Sequence, residues 1–228
     1  CFPNRGIVSL SVIVYPKTYT FARPSDGWMP LRTAPTSKDE LRAQFRAYRR
    51  DLSATAYTAR SALICSRVLG LRAVAEASLV HAYWPQTAGG EVDTRPLIGA
   101  LRGLGVQVVL PVVTSYDPAA PEMEHRRYTG PHALTPNRWG IPEPTDAERV
   151  PPDALDAVIV PALGAGRNGH RIGHGSGYYD AFLSDVDVPR VIVVYEHCFV
   201  PSVPADPHDV PGTHVVTERG VRFIAQNR

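Results

Sequence analysis

A glycine-rich stretch with the residue types of a phosphate site lies in the second half of the chain. It reads Gly169-His-Arg-Ile-Gly-His-Gly-Ser-Gly-Tyr-Tyr-Asp180 and follows an apolar run, residues 156–163, that is typical of a buried strand. Dense glycines let backbone N–H groups approach a ligand, and successive N–H groups form a concavity that binds anions. Arg171 adds a bidentate positive charge, and Asp180 is a hard oxygen ligand suited to Mg²⁺. The stretch predicts a site for phosphate and metal, although a plain glycine-rich connection would also fit.

A predicted helix carries a second set of positive charges. Ser37-Lys-Asp-Glu40 is a capping box, in which Ser37 accepts a hydrogen bond from the third helical amide and Glu40 reaches back. Apolar residues then recur at helical spacing and predict a core stripe: Leu41, Phe45, Tyr48 and Leu52. A neighbouring face carries Lys38, Arg42, Arg46 and Arg49. Like charges at this spacing repel one another, so this face is either a site for an anion or a solvated basic surface.

The composition is that of an ordinary soluble protein. The chain has 228 residues, of which 44% are hydrophobic and 20% charged, and its net charge of +2 is too small to indicate nucleic acid as the main partner. Its three cysteines, Cys1, Cys65 and Cys198, lack metal-ligand spacing and are interpreted as reduced thiols. No apolar run reaches the roughly 18 residues of a membrane helix. We therefore expect a cytoplasmic protein with no nucleic-acid or membrane partner.

The first 35 residues show no clear period and are predicted to be a poorly ordered extension. They begin with Cys, and the apolar residues 7–15 are not followed by a convincing signal cleavage site. Met29 precedes the capped helix, so residues 1–28 are interpreted as translated from upstream of the true start. A genuine edge strand is the alternative for this segment. Residues 36–228 are predicted to form a single domain.

Helices and apolar strands alternate along that domain. Helices are predicted from Ser37, from Ser53 to about Leu69 (with Ala62, Cys65, Val68 and Leu69 inward), over 95–104 and over 178–183. Strands are predicted at 79–84, 106–113, 156–163, 190–195, 215–217 and 221–225, with an edge strand at 123–128 and a rigid loop at 139–144. This order indicates an α/β fold with a parallel-rich central sheet covered by helices on both faces. Ligands bind beyond the carboxyl ends of such strands, where Glu91, the glycine stretch and His208-Asp209 would gather.

Three other sites are open from the residues alone. Gly164-Ala-Gly-Arg-Asn-Gly169 matches a dinucleotide-binding pattern, although more glycines follow where a helix should begin. A histidine metal site would use His170, His174, His208 and His214, which lack zinc-ligand spacing on a helix. A cysteine nucleophile would use Cys65 or Cys198, and neither lies in a recognisable motif.

Five segments together resemble the 5-formyltetrahydrofolate cyclo-ligase family. They are Lys38-x-x-Leu-Arg42, Arg49-Arg-x-Leu-Ser53, Glu91-Val-Asp-Thr94, Trp139-Gly-Ile-Pro-Glu-Pro144 and Gly169-x-Arg-x-Gly-x-Gly-x-Gly-Tyr-Tyr-Asp180, and they follow the family's order. The resemblance implies a three-layer α/β fold and the conversion of 5-formyltetrahydrofolate to 5,10-methenyltetrahydrofolate with ATP and Mg²⁺, releasing ADP and phosphate. A formyl oxygen is a poor leaving group, so the implied reaction passes through a phosphorylated formyl intermediate; such transfer depends mainly on positioning and charge neutralisation.

The resemblance also assigns functions to individual residues. It implies that Arg171 and Tyr179 are catalytic, that Asp180 and Asp209 bind Mg²⁺, and that Glu91, Trp139 and Tyr178 bind the reduced folate. It implies that ATP is bound by Lys38, Arg42, Arg171, Ile172, Gly173, His174, Gly175, Ser176, Gly177, Tyr178 and Tyr179. The partner is then a small molecule, and the enzyme is expected to be a monomer.

Two departures from the family pattern leave an alternative. The family usually has Phe-Asp where this chain has Ala165-Gly166, and many members have a second Asp where this chain has Gly212-Thr213. A divergent, non-catalytic relative that binds a nucleotide or folate would also fit these changes.

Overall fold

The structure, a computed structural model, describes residues 37–117 and 119–225. The predictions for residues 1–35 therefore lie outside the described residues. The α-helices are α1 (Lys38–Arg50), α2 (Ala54–Leu69), α3 (Arg72–Ala75), α4 (Arg95–Gly103) and α5 (Tyr178–Leu183). The strands are β1 (Leu79–His81), β2 (Gln107–Asp117), β3 (Ala120–Arg127), β4 (Leu134–Pro136), β5 (Pro142–Pro144), β6 (Ala157–Pro161), β7 (Gly164–Gly166), β8 (Arg171–Ile172), β9 (Arg190–Val193), β10 (Phe199–Val200), β11 (His214–Thr217) and β12 (Gly220–Phe223).

A mixed sheet of seven strands forms the centre of the fold. Its order is β12-β11-β9-β6-β1-β2-β3. The inner pairs are parallel, whereas the two edge pairs, β11 with β12 and β2 with β3, are antiparallel. Each edge strand directly follows its neighbour in the chain, so a short turn between the two strands is enough to make them run antiparallel. The predicted parallel-rich α/β sheet is confirmed.

Two apolar clusters cover opposite faces of this sheet. Successive side chains of a strand point to opposite faces, so adjacent residues of one strand belong to different clusters. Val108 and Ile159 belong to one cluster, whereas Val109 and Val158 belong to the other. Helices α1, α2 and α4 contribute to the first cluster, through side chains such as Phe45. Helix α5 contributes to the second. The three-layer arrangement is therefore confirmed.

The local signals at the first two helices place their starts correctly. Ser37 and Glu40 form the predicted capping box, with each hydrogen bond at 3.2 Å. Ser53 caps α2 by accepting from the amide of Ala56. The inward face of α2 was predicted wrongly at one position, since Ala62 is exposed and Ile64 is fully buried instead. Helix α2 packs against both α4 and β11, and because of this packing the face that carries Ile64 is turned into the core.

Two small sheets extend the central one. The predicted rigid loop at 139–144 is in fact the return half of a hairpin, in which β4 and β5 pair antiparallel. Asn137 fixes its turn, because its side-chain oxygen accepts from the amides of Trp139 and Ile141. The second small sheet has the order β10-β7-β8 and leads directly into the glycine stretch. These additions surround the carboxyl end of the central sheet, where the ligand site was expected.

Candidate active site

A cavity of about 720 Å³ opens at the carboxyl ends of β1 and β6. Its floor includes Tyr83 and Trp84, which follow β1, and Pro161 at the end of β6. Helix α1, strand β2, the β4–β5 hairpin, the glycine stretch and the 206–209 loop supply the walls. Parallel strands place their carboxyl ends at the same edge of a sheet, so this location agrees with the expectation from sequence.

The glycine stretch and α1 are joined by Arg42. The Nε of Arg42 donates to the carbonyl oxygen of Gly173 at 3.1 Å. Gly175 has a φ of +106°, and a Cβ at that position would come within 3.6 Å of the Arg42 guanidinium. This conformation strains any residue with a Cβ, which accounts for glycine there. The basic face of α1 is therefore partly a wall of the cavity, as Lys38 and Arg42 both line it, whereas Arg46 is exposed elsewhere.

The buried Arg171 connects the glycine stretch to the aspartates. Its Nη2 donates to Oδ1 of Asp180 at 2.7 Å, and its Nη1 donates to the carbonyl oxygen of Val210 at 2.7 Å. The amide of Val210 donates to the same Asp180 oxygen at 3.2 Å. One carboxylate thus receives a guanidinium and a backbone N–H, which holds α5 against the segment that follows Asp209. Arg171 positions these elements in addition to lining the cavity.

Three ligand-type side chains gather in the 206–209 loop. Ligand atoms of Asp206, His208 and Asp209 all lie within 4.8 Å of one another. The ammonium of Lys38 approaches Asp206 and Asp209 at 2.6 and 2.5 Å. Burial disfavours ionisation of Asp209, but the hydrogen bonds from Lys38 and from the Asp206 amide outweigh it and lower the pKa of this carboxyl. The loop therefore has the charge of a cation site.

Glu91 occupies the opposite part of the cavity. This side chain is nearly buried, and its Oε2 accepts from the amide of Gln86 at 2.8 Å. Its Oε1 lies 3.4 Å from Nε2 of His174, a residue of the glycine stretch. The predicted folate-binding acid and the predicted phosphate-binding segment are therefore in direct contact.

Aromatic rings form the remaining wall. The rings of Trp139 and Tyr178 meet edge to face with centroids 6.1 Å apart, and the Tyr178 hydroxyl donates to the Ser115 carbonyl at 2.8 Å. Tyr179 lies deeper, and its enclosed hydroxyl has no hydrogen-bond partner among the described residues. Burial, followed by the nearby Glu91, raises the pKa of Tyr179 well above its ordinary value. Tyr179 is therefore a neutral hydroxyl at physiological pH.

Two histidines lie behind Tyr179 in a dry environment. The ring of His81 is 5.0 Å from that of His125 and 5.9 Å from that of Tyr179. Neither ring nitrogen of His81 has a hydrogen-bond partner in the described part of the chain. Burial, and secondarily the neighbouring His125, lowers the pKa of His81 far below its ordinary value. Burial lowers that of His125 to about 4.

Nearly all of the predicted site residues line this one cavity. Ile172 is the exception, since its side chain belongs to the hydrophobic core. Sequence reasoning did not single out Glu143, Asp206, Tyr83, Trp84 or Met123, which also line it. Glu143 belongs to the Trp139–Pro144 motif but lies between two prolines, a pattern that indicates a rigid loop. Asp206 lies three residues before Asp209, and this spacing in a loop does not indicate whether the two side chains are close together.

The departures from the family pattern lie outside the cavity. Ala165 is fully buried in the second apolar cluster, and neither it nor Gly166 lines the cavity. A Cβ on Gly166 would come 2.7 Å from the backbone nitrogen of Val203. Thr213 hydrogen-bonds the backbone of Arg190 and is likewise absent from the cavity wall. These positions therefore shape the support of the site, and the cavity keeps its polar groups.

The structure does not support the other three sites. Gly164–Gly166 forms β7 and is followed by a turn and β8, so no helix begins at the third glycine of the dinucleotide pattern. Among the described residues, the cluster with metal ligands contains only His208 of the four histidines. Cys65 and Cys198 are buried, and burial raises the pKa of these thiols to about 11 and about 12. Such thiols are poor nucleophiles at neutral pH.

No helix in the described part of the chain combines the length and the apolar character needed to cross a membrane.

Comparisons with known proteins agree on one family. A family model described as the 5-formyltetrahydrofolate cyclo-ligase family matches residues 34–218. A 5-formyltetrahydrofolate cyclo-ligase of Mycolicibacterium smegmatis is 31% identical over 196 residues, which cover 82% of this chain and 97% of that protein. One of Escherichia coli strain K12 is 35% identical over 133 residues, 56% of this chain and 72% of that protein.

Solved structures give the same result. The NMR structure of Aquifex aeolicus 5,10-methenyltetrahydrofolate synthetase matches with a TM-score of 0.73 and 31% identity, covering 84% of this chain and 94% of that one. A 5,10-methenyltetrahydrofolate synthetase from Mycoplasma pneumoniae matches with a TM-score of 0.63 at 21% identity, a likeness of fold.

Proposed function

This chain belongs to the 5-formyltetrahydrofolate cyclo-ligase family of ligases, and we propose that it cyclises 5-formyltetrahydrofolate to 5,10-methenyltetrahydrofolate with ATP and Mg²⁺, releasing ADP and phosphate. The observation that supports this proposal is that groups suited to phosphate and groups suited to folate line the same cavity. Phosphate-type groups, namely Lys38, Arg42 and residues 173–177, face the same space as Glu91 and the aromatic wall. A transfer between two bound substrates requires this common space.

The proposed reaction has two steps. The formyl oxygen on N5 attacks the γ-phosphorus of ATP, the bond to ADP breaks, and the oxygen becomes a phosphate leaving group. The amine N10 then attacks the formyl carbon and loses its proton to solvent, the C–O bond to phosphate breaks and phosphate departs, and the N5–C–N10 bridge closes. Phosphoryl transfer of this kind needs charge neutralisation and alignment more than covalent help from the protein. Lys38, Arg42 and the N–H groups of the glycine stretch would supply that charge.

The residues behind the phosphate groups would orient them. Arg171 fixes Asp180 through its 2.7 Å hydrogen bond, so the carboxylate keeps its second oxygen available. His174 contacts Glu91 at 3.4 Å and would link the nucleotide segment to the folate. Tyr179, whose ring lines the cavity while its neutral hydroxyl is enclosed, would help to align the formyl group by contact.

The acidic side chains fit a magnesium ion. Asp206 and Asp209 hold a cation already, since the Lys38 ammonium lies between them. Carboxylates together with substrate phosphates are the ligands that Mg²⁺ takes in nucleotide enzymes. Asp209, which belongs to the cluster, and Asp180, which lies outside it and keeps one oxygen free of Arg171, would hold the ion, and bound Mg²⁺ would neutralise charge on the phosphates. The buried free thiols Cys65 and Cys198 support a reducing, cytoplasmic location, and we propose that the enzyme is a monomer.

An absorbance assay tests the proposal. Purified protein is mixed with 5-formyltetrahydrofolate, ATP and Mg²⁺, and the methenyl-folate band is followed. A rise that disappears without ATP or without Mg²⁺ is the expected result. No rise, while ATP still binds, would refute the cyclisation and favour a non-catalytic relative.

A further inference from the structure

Glu143 is a nearly buried acid that the proposed mechanism does not use. It belongs to β5, lines the cavity and exposes 8% of its surface. Its Oε1 accepts two hydrogen bonds, from the amide of Val113 at 3.2 Å and from the side-chain nitrogen of Asn137 at 2.8 Å. The carboxyl group is therefore held in one orientation by β2 and by the turn of the β4–β5 hairpin.

The second oxygen of Glu143, Oε2, has no hydrogen-bond partner and no cationic partner among the described residues. It is not one of the fully enclosed unpaired atoms, so it is accessible to a ligand. Burial raises the pKa of Glu143, and the two hydrogen bonds at Oε1 only partly oppose this. A carboxylate held in such a place is best stabilised by a hydrogen-bond donor on a ligand.

The cavity wall that includes Glu143 is largely aromatic and aliphatic, with the guanidinium of Arg138 stacked over Trp139 at 5.0 Å. Trp139 and Tyr178 form the edge-to-face pair already described, and Ile141 and Met123 line the same wall. Burial raises the pKa of Tyr178, Arg138 opposes this, and the carboxylate of Glu143 adds a smaller increase, which places Glu143 near the phenol. An aromatic slot with one acceptor fixed at its edge fits a planar heterocycle that presents N–H groups.

We infer that Glu143 binds the N–H edge of the pterin ring and so determines the specificity of the folate site, an inference that rests on the proposed function. A reduced pterin carries a 2-amino group next to a ring N–H, two adjacent donors that suit a carboxylate oxygen. Adenine carries one amino group flanked by the acceptors N1 and N7, which an ionised carboxylate repels. Glu143 therefore favours the folate over the adenine of ATP.

Glu143→Gln tests the inference with little change in shape. The variant keeps the Oε1 acceptor for Val113 and Asn137 and replaces the free oxygen by an NH₂ group, which cannot accept from the pterin. Because hydrogen bonds to charged groups contribute strongly, we expect the Kd for 5-formyltetrahydrofolate to rise roughly tenfold to hundredfold, with the Kd for ATP unchanged. Calorimetric titration of each compound measures both constants. Glu122→Gln, the same change at an exposed position of β3 outside the cavity, is the matched control.

A pH series on the wild type provides a second readout. The groups that face Glu143 are the Val113 amide, the Asn137 side chain and Tyr178, whose own pKa is raised above 10. As pH falls through the raised pKa of Glu143, the Kd of the wild type for the folate should rise more steeply than that of Glu143→Gln. Parallel pH curves, an unchanged Kd for the folate, or a weakened Kd for ATP would each overturn the inference. Binding needs no turnover, so a wild type that binds the folate without cyclising it would refute the proposed function alone.

Discussion

The ammonium of Lys38 lies 2.5 Å from one oxygen of Asp209, so the predicted phosphate ligand and the predicted metal ligand are paired with each other. The same ammonium contacts Asp206 at 2.6 Å. These contacts raise the pKa of Lys38 against the effect of burial, which keeps it charged. Binding of ATP with Mg²⁺ would exchange partners: the lysine would turn to phosphate and the aspartates to the ion. The loop therefore keeps its charge balanced before the substrates arrive.

Replacing Lys38 by Met should separate these two functions. The Kd for ATP is expected to rise about tenfold or more, because a charged hydrogen-bond donor to phosphate is lost. The affinity for Mg²⁺ in the absence of ATP should increase, since the two carboxylates lose a competing cation. Calorimetry with ATP and with Mg²⁺ alone measures both changes. Arg46→Met, on the same helix but outside the cavity, is the control. Unchanged ATP binding in Lys38→Met would contradict the assignment.

Substitutions of Arg171 and Asp180 should have non-additive effects on the free energy of unfolding, because the two side chains are paired. The Arg171 side chain is 5% exposed and that of Asp180 25%. Removing one partner of a largely buried pair leaves the other charge poorly compensated, so Arg171→Ala is expected to lower the free energy of unfolding by roughly 3 kcal/mol. Asp180→Asn should cost less, and the double variant should cost less than the sum of the two. Urea unfolding of the three variants gives this coupling energy. Strict additivity would show that the contact does not hold α5 in place.

The His81–His125 pair should make the protein sensitive to acid. Both pKa values are lower in the folded state than the ordinary 6.5, so below pH 6.5 the unfolded chain binds more protons than the folded one. Stability is then lost as pH falls from 6.5 towards the folded value of about 4 for His125, by up to about 1.4 kcal/mol per pH unit for each histidine. Arg149 lowers and Glu124 raises the pKa of His125, but burial dominates.

Unfolding by urea at pH 7, 6 and 5 checks this loss. His81→Phe keeps a ring between His125, Tyr179 and Phe182 and should show a shallower decline with falling pH. His132→Asn, at an exposed position, is the matched control. Equal slopes for wild type and His81→Phe would show that His81 does not contribute.

Trp139→Leu should affect binding far more than stability. The side chain is 46% exposed, so its replacement removes little buried area, and the free energy of unfolding should change by less than about 1 kcal/mol. Loss of an aromatic wall should raise the Kd for 5-formyltetrahydrofolate about tenfold. Phe223→Leu, an exposed aromatic position on β12 outside the cavity, is the control. A large drop in stability with unchanged folate binding would contradict the predicted wall.

Features governed by neighbours in sequence were predictable. The capping box of Ser37 and Glu40 was placed correctly because a cap acts within one turn, and the short helix over Tyr178–Leu183 was placed correctly because it begins where the glycine run ends. The edge strand at 123–128 was also predicted, and the structure extends it back to Ala120 through its pairing with β2. That extension depends on a partner strand, which the local pattern does not contain.

Features governed by distant contacts were less visible. The choice of Ile64 over Ala62 depends on how α2 packs, and both residues are compatible with a helix. The cavity joins Lys38 to Asp209, residues at opposite ends of the described chain, through charge alone. Composition and spacing could not show this pairing, and only the resemblance to a family brought the two residues into one prediction.

The close packing around Gly166 links the residue at this position to the conformation of the neighbouring 202–203 loop. An aspartate there, as the family usually has, would collide with the backbone near Val203, while glycine leaves room for it. Asp at position 166 is therefore compatible with this fold only if the 202–203 backbone also shifts, so the residue in the strand and the conformation of the loop depend on each other. Homologues with Asp at this position should carry a differently placed loop.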